Sequence, residues 1–272
     1  MRLGVAIRSM GPQSKPETLL ACARAAEAAG LADIWVQDHL AIPASDSEGS
    51  GGRYLDPLTT LAWLAAKTEW ISVGTGVLNL PYRPPLPTAK AIATVQELSG
   101  RRLLLGIGVG WMESEFRALG VPRNERGRRT DEMLAFLHRA FARDETESNG
   151  QDFLFLPRPA RPPIFIGGNG EHAIRRAVRF GEGWFPMLSD PKQLAAGRRR
   201  LVELSEEADR PVPAILAFAR LDPRSPSEAV EQVASFRDVG VKHIVAGVRY
   251  ADAEAFADEV AFLRDHILPA TE

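Results

Sequence analysis

The stretch Arg101-Arg102-Leu103-Leu104-Leu105-Gly106-Ile107-Gly108-Val109-Gly110-Trp111 decides how this chain is read, because an apolar strand pattern dissolves there into alternating glycines and ends in an aromatic side chain. Glycine has no Cβ, so three glycines at two-residue spacing let a flat ligand approach the main chain closely. Taken alone, the same run also fits a tight turn from strand to helix. Its surroundings supply the context.

On both sides of this run, short apolar strands alternate with helical patterns. Strands are predicted over 3–7, 34–36, 71–80, 103–107, 164–166, 183–185, 212–218 and 243–246. Helices follow them over 16–29, 58–68, 87–98, 113–118 with 128–142, 171–180, 191–208, 226–239 and 253–263. Prolines open several of these helices and glycines close them, as at Pro16 and Gly30. Strands this short and apolar are buried on both faces, which a parallel sheet with helical crossovers requires. Eight strand-then-helix units predict an α/β fold, a closed (β/α)8 TIM barrel; a doubly wound open sheet is the alternative. No break resembles a linker, so residues 1–272 read as one domain. Residues 143–163 read as an insertion, and the serine- and glycine-rich loop 45–53 as a mobile lid after the second strand.

Composition narrows the function. The 272 residues are 45% hydrophobic and 25% charged, with a formal net charge of -2. A nucleic-acid or anionic-membrane partner normally needs a basic face, so a small-molecule substrate is expected instead. The single cysteine, Cys22, sits on the apolar side of a helical pattern and reads as core. Residues 1–7 carry no secretory leader and no apolar run is long enough to span a bilayer, so a cytoplasmic location is expected. No His, Cys, Asp or Glu pair has metal-site spacing, and none of the lysines stands convincingly at a strand end, which argues against a metallohydrolase and an aldolase.

In such a barrel the site forms at the carboxyl ends of the strands. There the sequence places Asp38-His39 after strand two, Gly76-Val77 in strand three, Gly108-Val109-Gly110 after strand four and Gly167-Gly168-Asn169-Gly170 after strand five. The last opens into a helix, whose free N–H groups and positive dipole end suit an anion such as a cofactor phosphate, with Arg175 and Arg176 nearby to assist. His39 is the candidate proton carrier. Trp111 and Trp184 would offer aromatic faces to a planar substrate, whereas Phe185 reads as packing. His138, His172, His243 and His266, and the cluster Arg123, Arg126, Arg128 and Arg129, read as structural or solvated.

The segments VQDHLAIP (36–43), YLDPLTTLAWLAAKT (54–68), VGTGVLNLPYRPP (73–85), RRLLLGIGVGWMESEF (101–116) and PPIFIGGNGEHAIRRAVRFGEGWFP (162–186) together resemble the bacterial luciferase-like monooxygenase superfamily. The resemblance is nearest to the branch that uses the deazaflavin coenzyme F-420; other branches use FMN. It implies a (β/α)8 barrel that holds a flavin-like ring at the strand carboxyl ends. It also implies an Asp38-His39 pair at that ring, a non-prolyl cis peptide at Gly76-Val77 backing it, Gly108, Val109 and Gly110 flanking it, and a phosphate-binding turn at Gly167 to Gly170. The implied activity is hydride transfer to or from F-420, with an FMN-dependent monooxygenase or a catalytically silent flavin-binding protein as alternatives. One departure stands out. Sugar-phosphate dehydrogenases of this type carry a proton-donating glutamate where this chain has Trp111, so that mechanism needs Glu113 or Glu115 to reach inward. The chain is also short after the fourth helical region, which leaves the pocket open or completed by a second subunit of an expected homodimer.

Overall fold

The computed structural model describes residues 1–188 and 190–272. In chain order the strands are β1 (Arg2–Ala6), β2 (Asp33–Val36), β3 (Ser72–Asn79), β4 (Leu103–Gly108), β5 (Glu145–Ser148), β6 (Gln151–Leu154), β7 (Ile164–Gly167), β8 (Gly183–Phe185), β9 (Ala214–Ala219) and β10 (Val241–Gly247). The helices are α1 (Pro16–Ala28), α2 (Pro57–Ala65), α3 (Pro85–Leu98), α4 (Glu113–Ala118), α5 (Arg126–Ala142), α6 (Glu171–Phe180), α7 (Pro191–Glu207), α8 (Pro226–Asp238) and α9 (Ala253–Phe262). Eight strands close into a parallel barrel in the order β1-β10-β9-β8-β7-β4-β3-β2, while β5 and β6 pair only with each other. The expected barrel is present and the open sheet is excluded.

Each barrel strand buries two faces against different partners. On β2, Ile34 and Val36 join the large apolar layer between sheet and helices, whereas Trp35 joins an inner cluster with Leu104, Phe185, Leu216 and Val245. Trp35 is 1% exposed, and burying an aromatic side chain of this size stabilises the fold by roughly 5 kcal/mol. The indole fits only because its neighbour on β3 is Gly74, where a Cβ would stand 2.6 Å from the ring. Below it, buried Asp33 accepts from the Trp35 Nε1–H at 2.5 Å and meets His243 Nε2 at 2.8 Å, so His243 closes the barrel floor.

Gly106, in the run that first marked the strand, serves packing and not a ligand. A Cβ there would lie 2.0 Å from the Thr75 carbonyl oxygen, because β3 bulges between Thr75 and Leu78 around a cis Gly76–Val77 peptide. Two other expectations shift. The seventh barrel strand starts at Ala214, not at 212, since Pro211 and Pro213 bracket Val212 and cannot donate to the ladder. The insertion 143–163 holds the β5–β6 hairpin, turned at Asn149 (φ 53°) and Gly150 (φ 77°), a two-residue pattern that matches the strand twist. The loop expected to be a mobile lid is tied back in this structure: Arg8 donates to the Gly49 carbonyl and Arg53 Nε to Ser14 Oγ.

Candidate active site

At the carboxyl ends of the strands lies a cavity of about 320 Å³, within the ~300–1,000 Å³ typical of ligand sites. Its floor is Trp35, Phe185, Phe218 and Val245, the upper layer of the barrel interior. One wall is the β3 bulge with Gly76 and Val77. The adjoining walls are Gly108, Val109, Gly110 and Trp111 at the end of β4, and Gly167 and Gly168 at the end of β7. The walls stay open because they lack side chains: a Cβ on Gly108 would stand 2.5 Å from both Asn79 Oδ1 and Val77 Cγ2. Gln37 and Asn79 bring the polar edges. A flat ring with polar rims fits an apolar slot with so few polar groups.

The predicted residues separate into three groups. Gly76, Val77, Gly108, Val109, Gly110, Trp111, Gly167 and Gly168 line the cavity, as the sequence suggested. Asn169 and Gly170 stand on the exposed rim, where Asn169 Oδ1 accepts the Met187 N–H at 2.8 Å. Asp38 and Trp184 do not reach the cavity. Asp38 is buried and takes a bidentate pair from Arg83 (2.7 and 2.8 Å) and the Asn79 N–H at 2.7 Å, so it fixes the end of β3 instead of touching a ligand. Burial raises its carboxyl, against the pull of Arg83. Trp184 is fully buried on the helix side of β8, donating to the Gly168 carbonyl at 2.7 Å and packed on Gly197 of α7. Its neighbour Phe185, expected to be mere packing, forms part of the cavity floor. Trp35, Gln37, Asn79 and Phe218 are further lining residues that the strand-end reading did not single out.

His39 borders the mouth, edge-on to Trp111 at 6.2 Å and to Tyr54 at 5.0 Å between ring centroids. Its Nδ1 lies 2.9 Å from Oε2 of Glu115, which is fully buried. Glu115 also accepts from the N–H groups of Leu40 (2.6 Å) and Ala41 (3.1 Å) and from the Tyr82 hydroxyl (3.1 Å). Burial opposes ionisation of Glu115, but His39 and the two backbone donors outweigh it and hold the carboxyl down at about 2. Burial and the adjoining carboxylate push the Tyr82 hydroxyl above its usual range. An ionised carboxylate only accepts, so Nδ1 is the donor and Nε2 of a neutral His39 keeps its lone pair. Of the two glutamates considered as inward-reaching acids, Glu115 is the one; Glu113 is exposed and pairs with Arg123.

The α6 N-terminus follows Gly168 (φ 116°) and presents its first N–H groups toward the rim. The arginines expected to assist there are in ion pairs, Arg175 with Glu171 at 2.7 Å and Arg176 with Asp131 at 2.6 Å. Arg176 nevertheless lines an open groove beside Val109, together with Arg126, Arg128, Arg179 and His172 and the acids Asp131 and Glu132. Among the described residues no cluster of His, Cys, Asp and Glu could hold a metal ion, and no helix is long and apolar enough to cross a membrane.

Comparison with known proteins places this geometry. A family model described as luciferase-like monooxygenase matches residues 1–267. The uncharacterized protein Rv0940c of Mycobacterium tuberculosis is 31% identical over 245 residues, covering 84% of this chain and 83% of that one. The F420-dependent hydroxymycolic acid dehydrogenase of the same organism is 32% identical over 205 residues, 71% of this chain and 56% of that one. The crystal structure of monooxygenase RslO1 from Streptomyces bottropensis superposes with a TM-score of 0.83 over 100% of both chains, at 20% identity.

Proposed function

This chain belongs to the luciferase-like monooxygenase family, and on that premise we propose that it is an oxidoreductase moving a hydride between coenzyme F-420 and a small organic substrate. The observation that carries the reading is the slot itself: an aromatic floor, the cis Gly76–Val77 wall, and glycine walls at Gly108 and Gly167 that leave room for a flat ring. Bound F-420 supplies hydride donation or acceptance at its ring. The remaining work falls to the protein. Trp35, Phe185, Phe218 and Val77 keep water from the buried side of the slot, which suits hydride transfer. Gln37 and Asn79 orient the polar ring edge, and the turn from Gly167 to Gly170 with Arg126 and Arg179 takes the anionic part of the cofactor. His39 holds or accepts a proton at Nε2, its ring fixed by Glu115.

The F420-dependent dehydrogenase among the relatives favours F-420 over FMN. A second reading, an FMN-dependent monooxygenase using molecular oxygen, draws on the family's description and on the same water-excluding floor. Parallel binding titrations with F-420 and FMN decide between them. Tighter binding of F-420 supports the first reading; preference for FMN overturns the cofactor and leaves the slot as the site. Substitution His39→Ala is expected to preserve cofactor affinity and to lower turnover by about a hundredfold or more, the usual weight of a positioned acid or base.

A further inference from the structure

The order of strands around the barrel places the Gly167 turn and the Val109 groove on the β7–β4 side. Almost diametrically across, the adjacent strands β1, β10 and β9 each lead into an arginine. Arg8 stands two residues past β1, Arg220 directly after β9, and Arg249 two residues past β10. The three line one recess of about 760 Å³ at the barrel mouth. Gln37 belongs to that recess and to the central slot, so the two are contiguous. No acidic side chain lines the recess.

Among the described residues, none of these three arginines has a carboxylate within ion-pair distance; Arg8 is held only by the Gly49 carbonyl. Arg220 and Arg249 also border a neighbouring hollow that holds Glu259 and Asp222, the latter taken by Arg224 at 2.7 Å. Three cations lining one recess, none of them in an ion pair, raise the local potential and favour an anion there. The loops after the seventh and eighth strands, here β9 and β10, are also a recurrent phosphate site in barrels.

We propose that the Arg8–Arg220–Arg249 wall binds a carboxylate or phosphate group of the substrate, making this an enzyme for anionic molecules. The proposal rests on the reading that the central slot holds the cofactor ring and that the cofactor's own charges go to the opposite rim. Guanidinium groups present paired donors that match either oxyanion. Arg8 also tethers the 44–53 loop, so the test leaves it in place.

The test titrates inorganic phosphate and, separately, succinate into the purified chain and into R220Q/R249Q by calorimetry, with F-420 and FMN affinities measured alongside. The wild type is expected to bind at least one anion, the arm that responds identifying phosphate or carboxylate. R220Q/R249Q should bind it about tenfold or more weakly, R220K/R249K should recover part of the loss, and cofactor affinity should not change. Equal anion binding by the glutamine variant, or none by the wild type, overturns the proposal. So does a loss of cofactor affinity in that variant, which assigns the wall to the cofactor. Failure of both cofactors to bind, with arginine-dependent anion binding intact, would sink the cofactor reading alone.

Discussion

Substituting Glu115→Gln perturbs the proton arrangement at His39 by exchanging a single side-chain oxygen for nitrogen. Glu115 Oε1 accepts the Leu40 and Ala41 N–H groups, and Oε2 faces His39 Nδ1 and the Tyr82 hydroxyl. Glutamine can keep its carbonyl on the backbone donors only by turning its amide toward His39. The amide then donates to Nδ1, which forces neutral His39 into the Nε2–H tautomer. Glutamine is nearly isosteric with protonated glutamic acid, so the stability loss follows from the carboxyl's depressed value. A depression from the ordinary 4.5 to about 2 is worth about 3 kcal/mol at neutral pH. Because the folded-state value lies below the unfolded one, that stability is complete above about pH 4.5 and is lost as the pH falls toward about 2. Urea unfolding of both proteins at pH 7 should differ by about 3 kcal/mol, with the gap closing in acid. Imidazole nitrogen shifts should show the proton of neutral His39 moving from Nδ1 to Nε2. A gap under about 1 kcal/mol at pH 7, or an unchanged tautomer, would refute the reasoning.

Arg83→Met leaves the buried Asp38 carboxylate without its bidentate partner and should destabilise the fold by about 3–5 kcal/mol in the same assay. Gly108→Ala drives a Cβ to 2.5 Å from Val77 and Asn79; cofactor affinity in fluorescence titration should fall by about tenfold or more, since the wall moves into the slot. Trp184→Phe removes the Gly168 hydrogen bond outside the slot and should lower stability by about 1–3 kcal/mol while leaving the substrate KM unchanged. A shifted KM would return Trp184 to the pocket.

The barrel was legible because its signal is repetition: eight apolar strands punctuated by Pro-started and Gly-stopped helices agree with one another even where single boundaries slip by up to three residues, as at the end of α2. The hairpin at 145–154 is a case where the signal was present and local, the Asn149-Gly150 turn, but lay within a polar stretch. Strand parity is harder. β8 has three residues, too few for a period of two to say which aromatic faces inward. Its register settles the matter: Trp184 sits beside Ile166 in the outer layer, and Phe185 beside Gly167 at the slot. The same parity separates Trp35, inside, from Ile34 and Val36, outside.

Glu115 could be named from sequence only as one of two glutamates on a short helix, because its burial depends on a distant loop. It lies four residues beyond Trp111, and its oxygens are satisfied by Leu40, Ala41 and His39 from the loop after β2. Trp111 is 65% exposed at the rim while Glu115 is fully buried. The chain therefore keeps an acid close to Trp111, but inside the wall, with every oxygen occupied. Such a carboxylate cannot give a proton to a ligand, since it stays ionised down to about pH 2. It can only set the tautomer of the histidine beside it. In the proposed function, proton transfer therefore belongs to His39 Nε2, and Trp111 contributes a hydrophobic face at the rim. An anion held at the Arg220 and Arg249 side then approaches the slot from the rim opposite the cofactor's charges, leaving the central aromatic floor for the ring.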